Sequence, residues 1–111
     1  MPENIIMEII AAESTPEKEE EFNRWYTDEH VPMLMGAKSL KQASRYRRIG
    51  DDANLSKFIT VYEFESKEAV EGFHKSPAFA DAIKDYEDRK EAVGFTLKWA
   101  ASYELIRSYK R

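Results

Sequence analysis

The chain has two histidines, His30 and His74, and no cysteine, so proton transfer near neutral pH has few places to occur. The missing cysteine also excludes disulfides, thiolate metal sites and cysteine nucleophiles. His30 lies in Phe22-Asn23-Arg24-Trp25-Tyr26-Thr27-Asp28-Glu29-His30-Val31-Pro32. A neutral imidazole can both accept and donate a proton, which makes His30 the natural acid–base residue. Pro32 ends or kinks a helix beside it, freeing backbone carbonyls that could fix its tautomer. Tyr26, four residues earlier, shares its side of the helix. Asp28 and Glu29 are too close in sequence to face His30 across a regular helix. A purely structural reading stands beside this one, with Trp25 and Tyr26 in the core and His30 bonding the turn.

His74 belongs to Phe73-His74-Lys75-Ser76-Pro77-Ala78-Phe79. It could bind a haem iron or a substrate, or simply complement the negative end of a helix dipole. Without a third histidine or metal-type spacing, zinc has no support. Arg45-Tyr46-Arg47-Arg48 is basic and aromatic, as a nucleic-acid strand would be. However, the net charge is −4. Moreover, Lys57 to Phe64 matches the RNA-recognition strand pattern only at Lys57 and Phe64. Nucleic acid is therefore excluded, and the arginines are read as a solvated face or as charge guarding a sheet edge.

The elements that position these residues follow from periodicity. Ile5 to Ile10 is a short β-branched strand. Ser14-Thr15-Pro16-Glu17 opens a helix, capped either by Ser14 with Glu17 or by Thr15 with Pro16 in the first turn. Phe22, Trp25, Tyr26 and Glu29 follow at helical spacing, and Gly36 marks the exit. Leu40 to Ile49 is a second strand, Gly50-Asp51-Asp52 a turn, and Phe58 to Phe64 the third strand. Ser66 caps a short helix carrying Phe73. Ser76-Pro77 starts another, striped by Phe79, Ala82, Ile83 and Tyr86, which Gly94 ends. Phe95 to Tyr109 is the last strand, with Leu97, Trp99, Ala101, Tyr103 and Leu105 on one face.

The order is β-α-β-β-α-β, an α+β ferredoxin-like arrangement with a four-stranded antiparallel sheet. At 111 residues the whole chain, 1–111, is expected to be a single domain. Helices cover only one face of such a sheet, yet the third strand is apolar on both: Phe58, Tyr62 and Phe64 on one side, Ile59 and Val61 on the other. A second copy packed sheet to sheet would bury the bare face, so a homodimer is expected. The run Ile5 to Ala12 contains Glu8 and lacks a basic leader, and no stretch reaches membrane-spanning length, so no membrane association and a cytoplasmic location are expected.

The segment Trp25-Tyr26-Thr27-Asp28-Glu29-His30-Val31-Pro32 resembles the W-Y-x-x-E-H-x-P signature of the ethyl tert-butyl ether degradation (EthD-like) proteins. Phe73 to Phe79 is similar to the second helical region of antibiotic-biosynthesis monooxygenase-type proteins. Both groups belong to the dimeric α+β barrels, and the element order carries the resemblance over nearly the whole chain. The resemblance implies a homodimer with a ligand pocket between helices and sheet in each subunit, with His30 in the pocket and Tyr26 near it. It also implies relatives that are cyclases, isomerases, cofactor-free monooxygenases or haem-degrading enzymes. The haem branch uses an Asn, a Trp and a helix-borne His, and this chain's Asn4, Trp99 and His74 do not align with them.

The leading expectation is thus a small apolar or aromatic metabolite bound in a pocket, and a cofactor-independent acid–base enzyme of cyclase, isomerase or monooxygenase type. His30 moves the proton, Tyr26 or Tyr46 steadies an oxyanion, and Trp25, Tyr46, Tyr62 and Trp99 contact the ligand. The rivals are a non-catalytic binding protein with the same pocket, a haem-degrading protein and a purely structural dimer.

Overall fold

The computed structural model describes residues 4–111. Strand β1 (Ile6–Glu13) leads through a short 3-10 turn (Pro16–Lys18) into helix α1 (Glu19–Trp25). A π-helical turn (Tyr26–His30) and helix α2 (Val31–Leu34) continue it. Strands β2 (Gln42–Arg47) and β3 (Phe58–Phe64) follow, then helices α3 (Lys67–His74) and α4 (Pro77–Arg89), then strand β4 (Thr96–Glu104). The strands form one antiparallel sheet in the order β2-β3-β1-β4. This is the ferredoxin-like α+β fold that the element order calls for. No helix among the described residues is long and apolar enough to cross a membrane.

Several boundaries differ from the sequence reading. Strand β1 runs to Glu13 rather than stopping at Ile10. Alanines 11 and 12 are weak strand formers alone, but pairing with β3 and β4 on both sides holds them extended. Strand β2 is confined to Gln42–Arg47, since Ile49 is fully out in solvent with no partner strand beyond it. Strand β4 ends at Glu104, opposite Ile6 where β1 begins, leaving Ile106 and Tyr109 exposed.

Pro32 does not end the first helix. Having no N–H, it cannot bond the carbonyl of Asp28, and the backbone answers by widening one turn, with the Val31 N–H bonding the Tyr26 carbonyl. Helical geometry then resumes to Leu34, and Gly36 bonds back to the Met33 carbonyl in the exit turn.

Of the two readings of the helix start, Thr15 is the cap residue with Pro16 following, and its side chain makes no capping bond. Ser14 has another role: its hydroxyl donates to the Val93 carbonyl at 2.7 Å, tying the start of α1 to the turn after α4. Gly94 in that turn has φ +68, and a Cβ there would lie 2.8 Å from the Ser14 hydroxyl oxygen. Ser66 and Ser76 cap α3 and α4 as the sequence indicates, accepting from the Ala69 and Phe79 N–H groups.

The register fixes which side chains meet the helices. Ile6, Glu8, Ile10 and Ala12 of β1 pair with Phe64, Tyr62, Thr60 and Phe58 of β3, and these share the helix-covered face with Ala43 and Arg45 of β2. Phe22, Trp25, Leu34, Phe64 and Phe73 fill the layer between. The opposite face carries Met7, Ile9, Ile59 and Val61 with Tyr46, Trp99 and Tyr103, and the latter three are about half exposed. A bulge corrects the expected face of β4: Ala11 pairs with Trp99 but Ala12 with Leu97, so Lys98 is left over. Leu97 is thereby turned to the helix side, while Trp99, Ala101 and Tyr103 stay together on the bare side.

Candidate functional site

A cavity of about 470 Å3 lies between the helices and β1/β4, and Tyr26, His30 and Tyr62 border it. Its other walls are mostly apolar, among them Ile10, Leu34, Phe73, Phe79, Ile83 and Phe95. The π turn explains how His30 is held. In an α-helix, residues five apart point away from each other; the wider turn brings the fifth back over the first. The Trp25 indole accordingly stacks on the His30 ring, with centroids 4.8 Å apart and planes 29° from parallel. Tyr26 meets the same ring edge-on at 5.3 Å. The Trp25 Nε1–H donates to Asp85 at 2.8 Å, pinning this arrangement to α4.

His30 is 9% exposed and its Nδ1 has no hydrogen-bond partner. Burial lowers its pKa from 6.5 to about 4, Asp85 opposing the shift and Arg45 adding to it. The ring is therefore neutral at physiological pH. Burial, with Tyr26 next to it, holds the Tyr62 hydroxyl well above the ordinary phenol range, so it is a hydrogen-bond donor at any working pH.

Arg45 supports Tyr26 from the far side. Its Nη1 donates to Asn23 at 2.9 Å and Thr27 at 3.1 Å, and its Nε to Thr60 at 3.2 Å. Its guanidinium lies over the Tyr26 ring, among the described residues no carboxylate bonds it, and Nη2 is buried without a partner. Glu29, adjacent to His30 in sequence, turns away to Arg89 at 3.1 Å.

The structure thus brings together three of the residues singled out from sequence: His30, Tyr26 and Tyr62. Trp25 is fully buried behind His30 rather than bordering the cavity. Tyr46 and Trp99 stand in one row across the bare face of the sheet, through Ile59 and Ala11, with the sheet between them and the cavity. Strand alternation says that two faces exist but not which one the helices cover.

Sequence reasoning missed Glu8 and Ser102, and it offered His74 as a haem or substrate ligand or a helix-dipole partner without setting it beside them. All three border the cavity. The Glu8 carboxylate lies 3.5 Å from the His74 Nε2 and accepts from the Ser102 hydroxyl at 3.4 Å. One signal was available: Glu8 alternates with Ile6 and Ile10, which puts a carboxylate on the inward face of an apolar strand.

A family model described as a domain of unknown function (DUF4286) matches residues 5–97. No curated protein matches the sequence. Among solved structures, a hydroxynitrile lyase from Passiflora edulis superposes with a TM-score of 0.68 at 14% identity, covering 98% of this chain and 100% of that one. An ethyl tert-butyl ether degradation (EthD) family protein from Bacillus halodurans gives 0.64 at 17% identity, covering 88% and 96%. A dimeric ferredoxin-like protein of unknown function from Thermobifida fusca gives 0.59 at 15% identity, covering 93% and 91%. At these identities the likeness is one of fold, and it agrees with the EthD-like resemblance carried by Trp25 to Pro32.

Proposed function

Because the chain belongs to the DUF4286 family, whose description names no activity, we propose a function from the cavity itself: cofactor-independent acid–base catalysis on a small, largely apolar metabolite. One observation carries the reading. A neutral imidazole and two phenols, His30, Tyr26 and Tyr62, border one part of a mostly apolar cavity of about 470 Å3, a size suited to a small organic molecule.

His30 takes a proton from a C–H or O–H of the substrate, and the electron pair left behind becomes an oxyanion or enolate. The Tyr26 and Tyr62 hydroxyls donate to that oxygen. A donor of this kind is generally worth about 3 kcal/mol in the transition state. The low pKa of His30 fits such a step only when the negative charge forms beside it, because the ion pair then offsets the burial of the imidazolium. The same proton returns to the product at another atom. The Passiflora protein of this fold is a lyase, which supports acid–base chemistry here by analogy of fold alone.

A non-catalytic binding protein is the second reading, favoured by the same depressed pKa, since an imidazole this reluctant to charge is a weak base. The ring opening of 5-nitrobenzisoxazole, a single proton abstraction, separates the two. The catalytic reading expects acceleration over buffer that falls at least about tenfold in His30→Gln. Unchanged rates in the variant remove His30 as the base. Binding of 2-naphthol that persists without any acceleration supports the binding protein.

We also propose that the bare sheet face is covered by a second copy of the chain. Tyr46, Trp99 and Tyr103 are large apolar groups left half in water on a face that no helix covers. The Thermobifida protein of the same fold is described as dimeric.

A further inference from the structure

The cavity has a second polar region beyond the His30 wall. Ser102, Glu8 and Tyr62 form one cross-strand row on its floor, since Glu8 pairs with Ser102 on one side and with Tyr62 on the other. The Glu8 side chain is only 17% exposed. Among the residues bordering the cavity it is the one carboxylate, and no lysine or arginine borders the cavity with it. A largely buried carboxylate needs a cation or several hydrogen-bond donors. Among the described residues, Glu8 has only an imidazole nitrogen at 3.5 Å and one long hydroxyl bond at 3.4 Å, both from side chains exposed at the mouth of the cavity.

The surroundings of Glu8 are aromatic. Phe73 and Phe79 stand with ring centroids 5.1 Å apart, and His74 lies 5.5 and 5.0 Å from them. Both phenylalanines border the cavity alongside His74 and Glu8. Aromatic rings beside a carboxylate suit an organic amine, whose charge pairs with the carboxylate while its carbon body packs on the rings. A protonated amine presents three N–H donors, and the Glu8 carboxylate, the His74 imidazole and the Ser102 oxygen offer three acceptors.

We propose that the cavity selects a small organic amine, its ammonium group held by Glu8, His74 and Ser102 and its apolar body lying against Phe73 and Phe79. This rests on the reading of the cavity as a ligand site and names the charge that ligand carries.

Three ligands of similar shape test it on the unmodified protein by NMR titration: tyramine, the neutral 4-ethylphenol and the anionic 4-hydroxyphenylacetate. Tyramine is expected to bind at least about tenfold tighter than 4-ethylphenol, and 4-hydroxyphenylacetate weaker than either. In Glu8→Gln, tyramine should fall to the level of 4-ethylphenol while 4-ethylphenol itself is unchanged. Equal affinities for tyramine and 4-ethylphenol in the unmodified protein would overturn the proposal while leaving the cavity reading intact. So would a tyramine preference that survives Glu8→Gln. If none of the three binds, the cavity reading fails and the proposal falls with it. Should Glu8→Gln not fold, the ranking on the unmodified protein decides alone.

Discussion

The guanidinium of Arg45 lies over the face of the Tyr26 ring, 4.2 Å from its centroid. A cation over the face of a phenol is attracted by the negative face of the ring, which helps hold Tyr26 at the edge of the cavity. The contact depends on the planar fork of arginine, which reaches Asn23, Thr27 and Thr60 while its central carbon stays over the ring.

Arg45→Lys should therefore destabilise the protein although it keeps the charge. A lysine has one nitrogen to serve three acceptors and no flat face to stack, so a loss of about 1–2 kcal/mol is expected in urea unfolding. Arg45→Ala should cost about 2–3 kcal/mol, because the three acceptors then lose their donor together. Equal stability of the lysine variant would mean that only the charge matters.

His30 predicts a specific pH dependence. Its folded pKa, about 4, lies below its ordinary 6.5, so between these values the unfolded chain binds more protons than the folded one. The contribution is fully present above pH 6.5 and is lost as pH falls toward 4, by about 3 kcal/mol. His30→Gln should remove this component, flattening the stability profile over that interval while leaving the carboxylate component below it. Titration of the His30 ring protons by NMR should give a midpoint near 4. A midpoint near 6.5 would contradict the burial described here.

The bond from Trp25 to Asp85 joins the first helix to α4 behind His30. A double-mutant cycle of Trp25→Phe and Asp85→Ala should give a coupling of about 1–2 kcal/mol, the range for a partly buried hydrogen bond to a carboxylate. Trp25→Phe should also shift the His30 resonances, because the stacked indole is replaced by a smaller ring. Additive single effects would show that the bond does not hold the two helices together.

If a second copy covers the bare sheet face, sedimentation equilibrium at micromolar concentration should return twice the 13.0 kDa chain mass. Trp99→Glu places a charge on that face and should shift the population to the single-chain mass. A stable monomer of the unmodified protein would leave Tyr46, Trp99 and Tyr103 without a covering partner.

Local sequence carried a great deal of this. The β-branched runs, the Ser66 and Ser76 caps and the bend signals at Gly36 and Gly94 set the order of elements, because each acts through backbone chemistry within a few residues. The pairing of Tyr26 with His30 was legible for the same reason, since four residues span one helical turn. What the sequence could not decide was relational. Period-two alternation separates two faces but does not say which one the helices cover, so Tyr46 and Trp99 read as ligand contacts in the sequence although they line the other side of the sheet. The leftover Lys98 in the β4 bulge reverses the side of Leu97, and only the pairing partner reveals it. The π turn places Trp25 over His30, and the register places Glu8 between Tyr62 and Ser102. These arrangements arise where separate segments meet, so the contacts that define them exist only once the chain has folded.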